Sequence, residues 1–170
     1  MGLREHLAEE LEAARGGFHQ LLDSVPESAY SHPSDNPAWT IGDVLYHLTL
    51  GPPALHFEIW MIRYLPGVYP LVMNRFVSTI FNRVNAAFTG RPKRISRQML
   101  TQAYEKGHAG LVSRLNHMQD ADFQRSVMYP PEFVSDLAGL VSIERLFHYV
   151  KGHFDVHEAE IRKRLDEILV

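Results

Sequence analysis

Leu3, Leu7, Leu11, Ala14, Phe18, Leu21 and Val25 recur at steps of four and three. That spacing puts them on one face of a helix and predicts an amphipathic first helix, stopped by Pro26. The stretch 26–38, "PESAYSHPSDNPA", is rich in turn formers and reads as a loop. A second helix opens at "WTIGDVLYHLTL", where Thr40 and Asp43 three residues later form an acidic variant of the capping box. "GPP" at 51–53 must kink or end that helix, and "ALHFEIWMIRYL" at 54–65 is again helical, so the pattern predicts a kinked continuation. After the turn "PGVYP", residues 71–88 place Phe76, Ile80, Val84 and Ala87 at helical spacing. A further helix is expected from Ser96 to Met118, with Leu100, Ala103, Tyr104, Leu111 and Leu115 on one side. Residues 119–140 show no long period and read as a connection, and a final helix spans about Ser142 to Leu169. Strand-like alternation of useful length is not evident.

Four or five amphipathic helices without a repeat or linker predict an all-α protein, an antiparallel four-helix bundle of the up-down type. An extra helical segment would lie between helices two and three, and residues 1–170 would form a single domain. Hydrophobic content of 45% and charged content of 22% suit one globular core. A net charge of −3 argues against nucleic acid or an anionic membrane surface as a partner. The acidic N-terminal stretch, with Glu5, Glu9, Glu10 and Glu12, lacks the apolar core of a signal peptide, and no run is long enough to span a membrane. With no cysteine in the chain, disulfides, thiolate metal sites and a protein thiol nucleophile are excluded, and a cytoplasmic setting is expected. "LHFEIWMIRYL" offers apolar surface for a partner helix, and so for a homodimer, or for packing against the extra segment.

Ten histidines are the compositional oddity. On the last helix, at about 100° per residue, Ile143, Leu146, Val150, Phe154, Ile161, Leu165 and Ile168 share one face. His157 falls within that fan and His153 at its edge, whereas His148 lies roughly opposite and should face water. Two inward imidazoles one turn apart cannot satisfy each other well, and an unpaired buried polar group costs about 1–3 kcal/mol. A shared divalent cation resolves this, provided another helix supplies a third ligand. His47, at the margin of the stripe set by Ile41, Val44, Leu45 and Leu48, is the best-placed candidate. The plainer reading is that each is a hydrogen-bonded core histidine; HxxxH also arises by chance.

The string "WTIGDVLYHL" at 39–48 resembles the start of the second helix in the DinB/YfiT-like superfamily. "SIERLFHYVKGHFDVHEAEI" at 142–161 resembles that superfamily's last helix with its HxxxH pair. The resemblance extends over nearly the whole chain. It implies a four-helix bundle in which three histidines bind one divalent metal, commonly nickel or zinc; carried over, the ligands would be His47, His153 and His157. The "GPP" break, the long 66–92 segment, Gly152 and Glu160 depart from the usual run.

Three neutral imidazoles would leave a divalent ion its full charge and an open position, enough to acidify a bound water or hold a thiol as its thiolate. The resemblance implies either a transferase using a low-molecular-weight thiol as cosubstrate or a metal-dependent hydrolase. The leading expectation is a thiol S-transferase acting on small electrophiles in detoxification or stress. In a third reading the metal staples helices two and four of a binding or stress protein, with Asp43 or Glu158 as a fourth ligand. No catalytic acid or base is singled out. Asp155 and Glu158 read as solvated, and Tyr46, Tyr104 and Tyr149 are equivalent sources of a phenol.

Overall fold

The structure, a computed structural model, describes residues 2–72, 95–129 and 137–168. Helix α1 spans Leu3–Ser24 and buries Leu7, Leu11, Ala14, Phe18, Leu21 and Leu22. A 3₁₀ turn at Glu27–Ser31 follows, and helix α2 spans Ile41–Tyr64. The predicted capping box starts α2: Asp43 N–H donates to Thr40 Oγ1 at 3.1 Å, and Asp43 Oδ2 accepts from Thr40 N–H at 2.8 Å. The helix continues through Pro52 and Pro53, as the sequence suggests. What makes room for the two rings is Gly107 on a facing helix, where an added Cβ would sit 2.6 Å from Pro53 Cδ.

A short helix α3, Tyr69–Val72, is the described part of the extra segment; the helix expected over 71–88 otherwise lies outside the described residues. Helix α4 covers Arg97–Asn116 behind a Ser96 cap, and α5 is a single turn at Asp120–Phe123. Strand β1, Ser126–Tyr129, pairs antiparallel with β2, Gly139–Ser142, in the register Val127↔Val141 and Met128↔Leu140. This ladder falls mostly within the stretch 119–140 expected to be a plain connection, with Val141 and Ser142 of β2 just beyond it. Its strands are only four residues long, and Met128 and Leu140 on the outer face are apolar beside Ser126 and Ser142, so no sustained alternation of hydrophobic with polar residues betrays them. Helix α6 then runs Ile143–Ile168, burying Ile143, Leu146, Phe147, Val150, Phe154, Ile161 and Leu165. Ile168, expected on the same face, is exposed in the last described turn.

The four long helices form a bundle in which side-chain contacts fix the directions. His56 meets Gly110, and Arg63 reaches the His117 carbonyl, so α2 and α4 run parallel. Glu10 contacts His148, and Gly17 lies against Phe154, so α1 and α6 also run parallel. Arg15 pairs with Glu105 and Arg97 with the Val25 carbonyl, making α1 and α4 antiparallel. His47 meets His153 while Asp35, just before α2, meets Lys163 and Arg164, making α2 and α6 antiparallel. Simple up-down alternation is therefore replaced by up-down-down-up. The physical reason is the long 65–96 connection, which returns the chain to the end where α2 began. Helices α1 and α2, consecutive in sequence, sit on a diagonal.

Outside the core, α2 exposes Phe57, Trp60 and Tyr64, with the Phe57 and Trp60 rings stacked at 5.9 Å. At its far end Glu58 Oε1 accepts hydrogen bonds from the phenols of Tyr69, at 2.6 Å, and Tyr129, tying α3 and the β-ladder to α2. None of the described helices is long and apolar enough to cross a membrane.

Candidate metal centre

His47 lies in the second turn of α2, and His153 and His157 face it from adjacent turns of α6. The HxxxH spacing stacks the second pair on one helical face. Antiparallel packing of α2 against α6 brings the third ring between them. His47 Nε2 lies 3.1 Å from His153 Nε2, and the three ring centroids are 4.7 to 5.2 Å apart. One nitrogen from each ring falls within 4.8 Å of the others. All three residues are partly buried, and among the described residues no fourth side chain joins the set.

Burial sets the protonation of two rings. It lowers the His47 pKa to about 4, helped by His157 and opposed by Glu160. It lowers His153 to about 3, with His47 and His157 adding to the effect. Both imidazoles are therefore neutral near pH 7, with a lone pair available. Two neutral Nε2 atoms facing each other leave at most one hydrogen bond between them. Their 3.1 Å separation is also close to the edge of a tetrahedron with metal–nitrogen bonds of about 2.0–2.1 Å, roughly 3.3 Å. The donor set fits a divalent ion.

The surrounding shell supports the same use. His157 Nδ1 donates to Glu160 Oε2 at 3.0 Å, which fixes the tautomer and leaves Nε2 as the free nitrogen. Glu160 Oε1 in turn accepts the Asp35 N–H at 3.2 Å, anchoring the loop before α2. The Trp39 ring packs on His47 at 5.0 Å, and Tyr149 lies one turn before His153 with its ring centroid 5.3 Å away. Sequence reasoning did not assign Glu160 this role, although its place three residues after His157 puts the two on neighbouring positions of one helix.

The other candidates separate. Asp43 is held in the α2 cap, Glu158 pairs with Arg162 at 2.7 Å, and Asp155 pairs with Lys151 at 2.5 Å. Tyr104 is buried and stacked on Phe18 at 4.1 Å, well inside the core, and burial pushes its pKa upward. Tyr46 lines a cleft of about 410 Å³ between α2 and α4, together with Leu50, Pro53, His56 and Lys106. Of the three phenols, Tyr149 is the one whose ring packs against a candidate ligand.

A four-helix bundle with three imidazoles converging from two of its helices is a class of architecture associated with a buried divalent-metal centre. The chain belongs to the DinB superfamily, whose sequence profile matches residues 10–161. Among solved structures it is similar to YfiT from Bacillus subtilis, described as a probable metal-dependent hydrolase with an unusual four-helix bundle topology. That likeness has a TM-score of 0.67 at 16% identity, covering 96% of this chain and 87% of that one. It establishes the fold. No curated protein matches the sequence.

Proposed function

We propose that this protein is a divalent-metal-dependent enzyme whose centre is His47, His153 and His157, and that it transfers a low-molecular-weight thiol to small electrophiles. The observation that carries this reading is the convergence of three imidazoles, two of them held neutral, with no nucleophilic side chain of the protein among them. A nickel or zinc ion bound there would supply Lewis acidity, lowering the pKa of a thiol or a water brought to its open position.

The chain's own residues do the rest. Glu160 holds the His157 ring through Nδ1, and Trp39 braces His47, so the donor atoms are oriented before a ligand arrives. Tyr149 packs its ring beside His153, one turn earlier on α6, and walls that side of the site. In the overall reaction the sulfur–carbon bond forms as the electrophile's leaving group departs with the bonding electrons. The thiol proton passes to solvent. With no cysteine in the chain, the thiol must come as a cosubstrate.

Hydrolysis by an activated water is the second reading, favoured by the description of the Bacillus subtilis neighbour. Turnover by untagged protein, metal-stripped and metal-loaded, on a panel of electrophiles and esters with and without added thiols separates the two. Activity that needs both metal and thiol, and is lost in His157→Ala, supports S-transfer. Activity that needs metal but no thiol supports the hydrolase. Equal activity in the stripped and loaded forms refutes both.

A further inference from the structure

The neighbourhood of His148 differs from the solvated face that its helical position suggests. Its Nδ1 lies 2.6 Å from Glu10 Oε2, and the other oxygen of the same carboxylate lies 3.3 Å from His6 Nε2. The two rings are 5.8 Å apart at 54°, so one carboxylate sits between two imidazoles supplied by different helices. One donor atom from each of the three residues falls within 4.8 Å of the others.

We propose that His6, Glu10 and His148 form a second site for a divalent transition-metal ion of the zinc type, linking the first two turns of α1 to the second turn of α6. Three observations point this way. The 3.3 Å separation of His6 Nε2 and Glu10 Oε1 matches the edge of a tetrahedral site with bonds of about 2.0–2.1 Å. Imidazole and carboxylate are the donors that zinc and its neighbours in the series accept. Glu10 has no Arg or Lys partner among the described residues, whereas Asp155, Glu158 and Glu167 on α6 each pair with one. A carboxylate with only imidazole partners stays available to a cation.

Glu144 lies 3.9 Å from His148 Nε2, on the side of the ring away from Glu10. At that distance it is an acidic neighbour rather than a hydrogen-bond partner, and the 2.6 Å hydrogen bond from His148 Nδ1–H to Glu10 is the one a bound ion would replace. With Glu10 as a ligand, the site carries a negative charge that the three-imidazole centre lacks. It is also more open, since the His6 and His148 side chains are 47% and 37% exposed, so an ion needs no opening of the core to enter. The site is distinct from the first. It lies on the α1–α6 seam rather than α2–α6, and His148 precedes His153 by about 7.5 Å of helix rise.

Equilibrium dialysis of the metal-stripped full chain against zinc chloride at pH 7.5 tests this, with far-UV circular dichroism checking that each variant is folded. Wild type should bind two equivalents. His148→Ala and His6→Ala should each retain one, and His157→Ala should also retain one. In the His157→Ala background zinc should still raise the melting temperature, and adding His6→Ala should abolish that rise. His6 is the most exposed ligand, so its variant leaves the core intact. A single wild-type equivalent that disappears in His157→Ala overturns the proposal. So does a second equivalent that survives both His6→Ala and His148→Ala, because the zinc then sits on other histidines. Failure of the first centre reads differently: His157→Ala would bind as wild type does.

Discussion

Replacing Glu160 tests whether the centre depends on groups that never touch the ion. The carboxylate accepts the His157 Nδ1–H at 3.0 Å and the Asp35 N–H at 3.2 Å, and its side chain is 16% exposed. A hydrogen bond to a charged acceptor contributes about 1.5–3 kcal/mol in such partly buried surroundings. Loss of an outer-shell partner of a metal-bound histidine typically costs 10–100-fold in metal affinity. The two scales agree, since about 1.4 kcal/mol is tenfold. Glu160→Gln keeps a neutral oxygen acceptor and loses the charge, so it should weaken zinc or nickel binding about tenfold. Glu160→Ala removes both hydrogen bonds and lets the ring turn, so it should approach 100-fold. Competition with a chromophoric chelator at pH 7.5 reads both. If both variants bind within twofold of wild type, Glu160 does not orient His157 and the outer-shell reasoning is wrong.

Other predictions concern the metal-free fold. His47 and His153 titrate at about 4 and about 3 in the native state, below the ordinary 6.5 of an unfolded histidine. Between those values the unfolded chain binds more protons, so native stability is fully present above pH 6.5 and is lost as pH falls through the native values. Urea midpoints of the stripped protein should drop over that window, and His47→Gln should flatten the slope by up to one proton. An unchanged slope would contradict the burial argument. Gly107→Ala should lower stability by about 1–3 kcal/mol through collision with Pro53, outweighing a helix-propensity gain of up to about 1 kcal/mol; a stabilised variant in urea melts would contradict it. Thr40→Ala removes the cap on α2 and should cost about 1–2 kcal/mol in the same melts, with Asp43→Ala tested beside it for non-additivity.

The helices were legible because long amphipathic periods carry their own evidence. The α1 stripe and the Thr40–Asp43 box stand in the sequence as they stand in the fold. The β-ladder was not legible, because two four-residue strands with Met128 and Leu140 among their outward residues are too short to show a distinguishing period. Helix directions were equally hidden. Periodicity says which face of a helix is buried but not which neighbour covers it, and the parallel pairing of α2 with α4 depends on where a long connection leads. At the candidate centre, HxxxH announced itself locally, and the place of His47 at the margin of the α2 stripe, together with the superfamily resemblance, pointed to the third histidine. Glu160 and His148 show the limit: one is an acidic residue on a helix and the other an outward histidine, until their partners, His157 with the Asp35 loop and Glu10, come from elsewhere.

The separation of the three histidines along the chain has a consequence for when a metal could be held by all of them. His153 and His157 belong to one helix, but His47 is 106 residues from His153. Closing a loop of that size in a disordered chain costs about 5 kcal/mol of entropy. An unfolded or partly synthesised chain thus presents a two-point chelate at most, while the packed bundle presents three donors with the loop already closed. An ion held by all three would therefore prefer the finished fold and stabilise it by mass action. It would be acquired late, after the first and last thirds of the chain have met.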